Sequence, residues 1–256
     1  MHAIQTSGSC IRNVTTDEFA GAAADEEIDP RPYCELIRQW STAHPEFDWL
    51  PRKFKIALSG AAEDRAAIAV HDIGLGVSTD PRGNAQFDFY VGGGLGRTPV
   101  IGSLIESGVP AKHLLTYLEA VMRVYNRYGR RDNKYKARIK ILVRAMGSEA
   151  FRDKVLAEWE FLKDGPSTVN AKELDRLTTH FLAPEFASLK DANQTLQTHR
   201  LANPAFSAWV SQNVIAHKHS DYAAVTLSTK VAGIPPGDIT DEQMDLVADW
   251  ADRYSF

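Results

Sequence analysis

The run LPRKFKIALSG, Leu50 to Gly60, sets Arg52, Lys53 and Lys55 at the mouth of an apolar segment that reads as a β-strand. On an extended chain successive side chains alternate faces, so Lys53 and Lys55 point one way while Arg52 and Phe54 point the other. Two ammonium groups roughly 7 Å apart by strand rise can converge on a single anion. The competing reading is a solvated edge strand protected by lysines. Two more strand candidates follow, at residues 66–71 and 86–91, the pair separated by the turn signal DPRGN. Three such strands give an antiparallel or mixed sheet.

Outward from this sheet the pattern turns helical. A proline-started helix is expected over 33–43, ahead of the strands. Beyond them, Leu114, Leu115, Leu118, Val121, Met122 and Tyr125 fall on one face at spacings of three and four. Further helices are expected over 133–145, 149–162 and 171–181. The polar, weakly periodic stretch 183–204 reads as a linker. A short helix over 205–214, the alternating strand YAAVTLSTKV from Tyr222 and a last helix capped by Thr240 complete the chain. The fold class is therefore α+β, a mixed sheet with helices packed on it. The expected organisation is a catalytic-type domain at 1–182, a linker at 183–204 and a β-α half-domain at 205–256.

A length of 256 residues allows one large domain or two small ones. The net charge of -4 argues against a surface that coats nucleic acid. No apolar run approaches the roughly 20 residues that span a bilayer, and MHAIQTSGS is no signal peptide. Cys10 and Cys34, the two cysteines, make no disulfide framework and point to a reducing cytoplasm.

Two stretches invite chemistry. YVGGGLGRTP follows a strand but fits neither the dinucleotide fingerprint nor the Walker loop. Gly92, Gly93 and Gly94 would let a flat or anionic ligand approach the backbone, or would simply form a turn. Residues 123–144 carry nine Lys/Arg against a single acid, Asp132. Such a field attracts a polyanion, either nucleic acid or a highly carboxylated cofactor, unless it is a solvated helix face. The histidines offer little: His217 and His219 read as loop residues, with no third ligand spaced for a metal site.

Taken in order, TSGSCIRNVT, PYCELIRQW, LPRKFKIALSG, HDIGLG, FYVGGGLGRTPVIG and YNRYGRRDNKYKARIKILV resemble the sirohaem- and 4Fe–4S-dependent nitrite/sulfite reductases. The resemblance runs from about Ile4 to Leu162 and resumes more weakly from about Ala205, where the C-terminal β-α unit resembles the opening of a ferredoxin-like half. It implies six-electron reduction of sulfite to sulfide or nitrite to ammonia. Sirohaem carries eight carboxylates, which suits an Arg- and Lys-rich pocket. The electron donor would be a ferredoxin or a flavoprotein, and no nucleic acid or membrane is implied as a partner.

Carried over by position, Arg12 resembles the family's substrate-side arginine, and Lys53 and Lys55 its paired active-site lysines. Arg138 falls where the family has a sirohaem-contacting cation, and Gly92 to Gly94 would line the macrocycle. The family's four cluster cysteines have no counterpart here, since neither Cys10 nor Cys34 matches them, so no metal ligand is assigned. The chain thus reads as an internal segment whose cluster-binding half would come from a companion chain. The alternatives are a non-catalytic tetrapyrrole- or anion-binding module and, more remotely, an RNA-binding domain. The expected outcome is that the purified chain alone reduces neither sulfite nor nitrite with a reduced dye, and turnover in that assay would overturn the expectation.

Overall fold

In the computed structural model, which describes residues 8–189 and 192–255, the LPRKFK run leads into the second strand of a five-stranded sheet. Residues 1–7, most of the segment judged against a signal peptide, and positions 190–191 of the expected linker lie outside the described residues. Strands β1 (Ile11–Thr15), β2 (Phe54–Ser59) and β3 (Ile73–Thr79) are parallel, and helix α1 (Arg31–Ala43) connects the first two. β4 (Ala85–Val91) and β5 (Ser103–Pro110) then add antiparallel neighbours, giving the order β1-β2-β3-β4-β5. The sheet is mixed, as the α+β expectation requires. β2 is hydrogen-bonded on both sides, so edge protection does not account for its lysines.

Helix α2 (Leu114–Tyr128) presents the apolar stripe read from the sequence, with Leu114, Leu118, Val121, Met122 and Tyr125 fully buried. Aromatic pairs join it to the sheet: Tyr117 against Phe89 and Tyr125 against Phe54, with ring centroids 4.6 and 5.3 Å apart. The Tyr125 hydroxyl donates to the Ala137 carbonyl at 2.8 Å, so its burial leaves no polar atom unsatisfied. Helices α3 (Ile139–Met146), α4 (Ser148–Leu162) and α5 (Ala171–Thr178) follow.

The expected strand at 66–71 is instead a turn. The Asp64 carboxylate accepts the Ile68 N–H at 2.9 and 3.0 Å, and Ile68–Val70 forms a short 3-10 helix. β3 begins only after it. Gly74 and Gly76 lower the strand signal of β3, yet Gly74 is needed there: a Cβ would lie 2.2 Å from the Ile68 carbonyl oxygen. β1 and β5 were not among the three expected strands, because their stability comes from distant partners rather than from local pattern.

The chain divides into two units, Met1–Gly21 with Asp25–Leu182, and Ala22–Ala24 with Ala183–Phe256. The second holds α6 (Asn193–Ala202), α7 (Pro204–Asn213), β6 (Val214–Ala216), β7 (Ala223–Val225) and α8 (Asp241–Tyr254). Helix α6 occupies much of the stretch expected to be a linker. Its Arg200 reaches the Ser207 and Ser211 hydroxyls of α7, and this tertiary support does not show in the periodicity of 193–202. The long strand expected from Tyr222 shortens to β7, as long as its antiparallel partner β6. Thr240 caps α8 in a reciprocal capping box with Gln243.

The packing around Gly74 predicts that Gly74→Ala destabilises the first unit by about 2 kcal/mol in urea unfolding. Gly76→Ala, whose methyl would meet its nearest neighbour at an ordinary 3.6 Å, changes stability little.

Candidate anion-binding site

The mouth of β2, the turn before β3, the loop after β4 and the approach to α3 enclose a cleft of about 290 Å³. Lys53, Lys55, Val70, His71, Asp72, Leu95, Gly96 and Arg138 line it. Asp72 has no exposed surface and holds these segments together. Its Oδ1 accepts from Arg138 Nε at 2.9 Å and Nη2 at 2.6 Å, and its Oδ2 accepts the Lys55 N–H at 3.0 Å. Its backbone carbonyl accepts the Gly92 N–H at 3.0 Å. Burial pushes the Asp72 carboxyl above its ordinary pKa, while Arg138 and the Lys55 N–H act in the opposite direction.

Lys53 and Lys55 share the cleft, as strand alternation requires. The pKa of Lys53 is lowered, first by desolvation and then by the charges of Arg12, Arg138, Lys55 and Arg52. A lysine opposed by four cations is a site where an anion relieves repulsion. Arg12 contributes to this field from an adjoining crevice lined by Ile11, Arg12, Asn13, Val14 and Arg38. It sits at a register irregularity between β1 and β2, and its Nε donates to the Gly8 carbonyl at 3.0 Å. The structure thus brings Lys53, Lys55 and Arg138 into one cleft and sets Arg12 beside it.

The three glycines are a structural turn first. Gly92 has φ +88°, and a Cβ there would lie 3.0 Å from Val143. At Gly93 a Cβ would approach the Ala69 and His71 carbonyls to 2.4 and 2.5 Å, and at Gly94 it would come within 2.9 Å of Lys140. Close neighbours crowd all three positions, Gly92 lines a separate cleft beside Val143 and Lys140, and the cationic cleft is lined by the next two residues, Leu95 and Gly96. Lys140 holds this loop by donating to the Leu95 and Thr98 carbonyls at 3.2 and 2.6 Å.

The basic stretch 123–144 is neutralised in part, four of its nine cations forming ion pairs with acids. Arg123 pairs with Glu46 and Glu119 at 2.9 Å, Arg127 with Glu158 at 3.2 Å, and Arg138 with Asp72. Arg130 pairs locally with Asp132. Sequence reading quoted HDIGLG as a family motif but assigned no site role to Asp72 or His71, both of which line the cleft. Their signal was the dipeptide itself, two titratable groups directly before the glycine-containing strand β3.

Neither cysteine lines the cleft. Cys34 donates to the Thr15 carbonyl at 3.7 Å, and burial pushes its thiol up to about 12. Among the described residues no group of three or more His, Cys, Asp or Glu is placed to hold a metal ion, and no helix is long and apolar enough to cross a membrane.

The family profile described as Nitrite and sulphite reductase 4Fe-4S domain matches residues 7–163. The chain belongs to this family. Its relatives include sulfite reductase (ferredoxin) 1 of Mycolicibacterium paratuberculosis, 34% identical over 172 residues, covering 66% of this chain and 30% of the relative. The chloroplastic ferredoxin–nitrite reductase of Arabidopsis thaliana is 29% identical over 157 residues, covering 59% and 27%. The chain thus spans about 30% of the length of these curated relatives. The solved Mycobacterium tuberculosis NirA protein superposes with a TM-score of 0.57 at 24% identity, over 97% of this chain and 44% of that one, and so shares its fold.

The ties to Asp72 predict a coupled pair. In urea unfolding, Asp72→Ala and Arg138→Met each destabilise the domain. The double variant loses about 2 kcal/mol less than the sum, because the single Asp72 change leaves a partly buried guanidinium without its carboxylate.

Proposed function

We propose that the cleft binds a small oxyanion, sulfite or nitrite, and that the chain supplies the cationic wall of a reductase site. The observation that carries this reading is Lys53, which shares the cleft with Lys55 and Arg138 and is opposed by Arg12, Arg52, Lys55 and Arg138, while the cleft's acid, Asp72, is committed to Arg138. A bound oxyanion accepts from the Lys53 and Lys55 ammonium groups and neutralises their mutual repulsion. The same ammonium groups polarise its bonds to oxygen and stand ready to pass protons to an oxygen that leaves. The names of the relatives make sulfite and nitrite the substrate candidates and a ferredoxin the electron donor.

The cations of the cleft also fit the carboxylate rim of sirohaem. Lys55 and the outward side of Arg138 would hold such carboxylates, with Asp72 keeping the guanidinium in place. Sirohaem, when bound, supplies the iron at which the substrate is reduced. A 4Fe–4S cluster does not fit this chain: it takes four thiolates, and the sequence holds two cysteines, both away from the cleft. In this reading the cluster and the electrons come from outside these 256 residues. Binding without turnover would make the chain an anion-binding module.

Calorimetric titration with nitrite and with sulfite tests the anion site. Lys53→Met and Lys55→Met each weaken binding about tenfold, and Lys134→Met, on the separate turn at 134–136, leaves it unchanged. Equal affinity in all three variants would sink the proposal.

A further inference from the structure

The cleft that holds Lys53, Lys55 and Arg138 is also lined by an imidazole. His71 Nδ1 lies 2.9 Å from the Ala67 carbonyl oxygen. A carbonyl only accepts, so Nδ1 carries the hydrogen and Nε2 is the nitrogen left for a ligand. The backbone making this contact is held in a costly shape. Ala67 has φ +52° and ψ +48°, and among the described residues it is the one non-glycine residue with positive φ. Asp64 braces the turn through the Ile68 N–H, and Gly74 and Gly93 press against its carbonyls. Several contacts therefore converge to keep one imidazole at the wall of a cationic cleft.

We propose that His71 is a proton-carrying binding residue of this cleft, donating Nε2–H to a bound small oxyanion when it is imidazolium and giving no such bond when it is neutral. The inference rests on the oxyanion reading above. The charged groups around His71 are Lys53 and Lys55 at the mouth of β2, Arg138 and Lys140 at the start of α3, and Asp72 and Asp64 on its own segment. Asp72 is committed to Arg138, and Asp64 to the Ile68 N–H. A bound anion and the imidazolium attract, so anion binding and proton uptake favour each other. Imidazole is the side chain whose ordinary titration range makes this coupling readable between pH 5 and 8.

The test is calorimetric titration of the chain with nitrite, which stays a monoanion across this range, in two buffers of different ionisation enthalpy. For the wild-type chain, nitrite affinity rises about tenfold between about pH 8 and pH 5.5, with net proton uptake on binding. His71→Asn and His71→Gln bind nitrite with no proton uptake and an affinity independent of pH. Both replacements sit on a half-buried turn residue, and retained nitrite binding shows that the cleft is still formed. Proton uptake that persists in both variants overturns the proposal and moves the proton to Lys53 or Asp72. Wild-type binding that ignores pH overturns it and leaves the oxyanion reading standing. No nitrite binding at any pH overturns both.

Discussion

A carboxylate with no exposed surface must find all its partners within the protein, and Asp72 finds them on three separate segments. Its side chain takes the Arg138 guanidinium and the Lys55 N–H, and its carbonyl takes the Gly92 N–H. Burying a charge without such partners costs several kcal/mol, so the approach to α3 and the strand mouth are not free to drift apart. The same contacts divide the charges of the cleft into two classes. Arg138 is balanced where it stands, whereas Lys53 and Lys55 keep an uncompensated charge beside it. The proposed small-anion site rests on that asymmetry rather than on the total number of cations.

The body carrying the cleft coincides with the part of the chain that matches the family. The match covers residues 7–163, and the mixed sheet with α1 to α4 is complete at Leu162. Those elements share one apolar core, in which Phe54, Phe89, Tyr117, Tyr125 and Phe151 are fully buried. Arg138 and Lys140 enter the cleft region from the start of α3, and they reach it only because α3 packs beside β4 and α4. Core packing is therefore what sets the positions of the charges.

Much of this was legible in the sequence. Alternation alone placed Lys53 and Lys55 on one face, the three-and-four spacing found the buried stripe of α2, and DPRGN marked the hairpin between β3 and β4. These are local signals. What escaped notice depended on residues far apart in the chain. Residues 66–71 look like a strand until Asp64 caps the turn and the chain bends at Ala67. The cations of 123–144 look unopposed until Glu46, Glu119, Glu158 and Asp72 fold against them. Position in the family pattern pointed to Gly92 to Gly94, and packing alone already favours glycine there, most strongly at Gly93, where a Cβ would meet the Ala69 and His71 carbonyls. His71 was passed over because its importance lies in a neighbouring carbonyl and a shared cleft, neither of which has a spacing signature.

The pairing of Arg123, Arg127 and Arg130 with carboxylates has a consequence for selectivity. A continuous row of bare cations would act as a rail, gripping any long anionic polymer at many points. Here four of the nine cations are paired with acids, which interrupts the row, while Lys53 and Lys55 stand together in a small cleft between β2 and the loop after β4. Beyond a Debye length of about 8 Å at physiological salt, that cleft is barely felt. A polymer gains little from its length there, while an ion small enough to enter meets the whole field at once. The acids opposite Arg123, Arg127 and Arg130 therefore bear on the selectivity of the proposed site, although none of them lines the cleft.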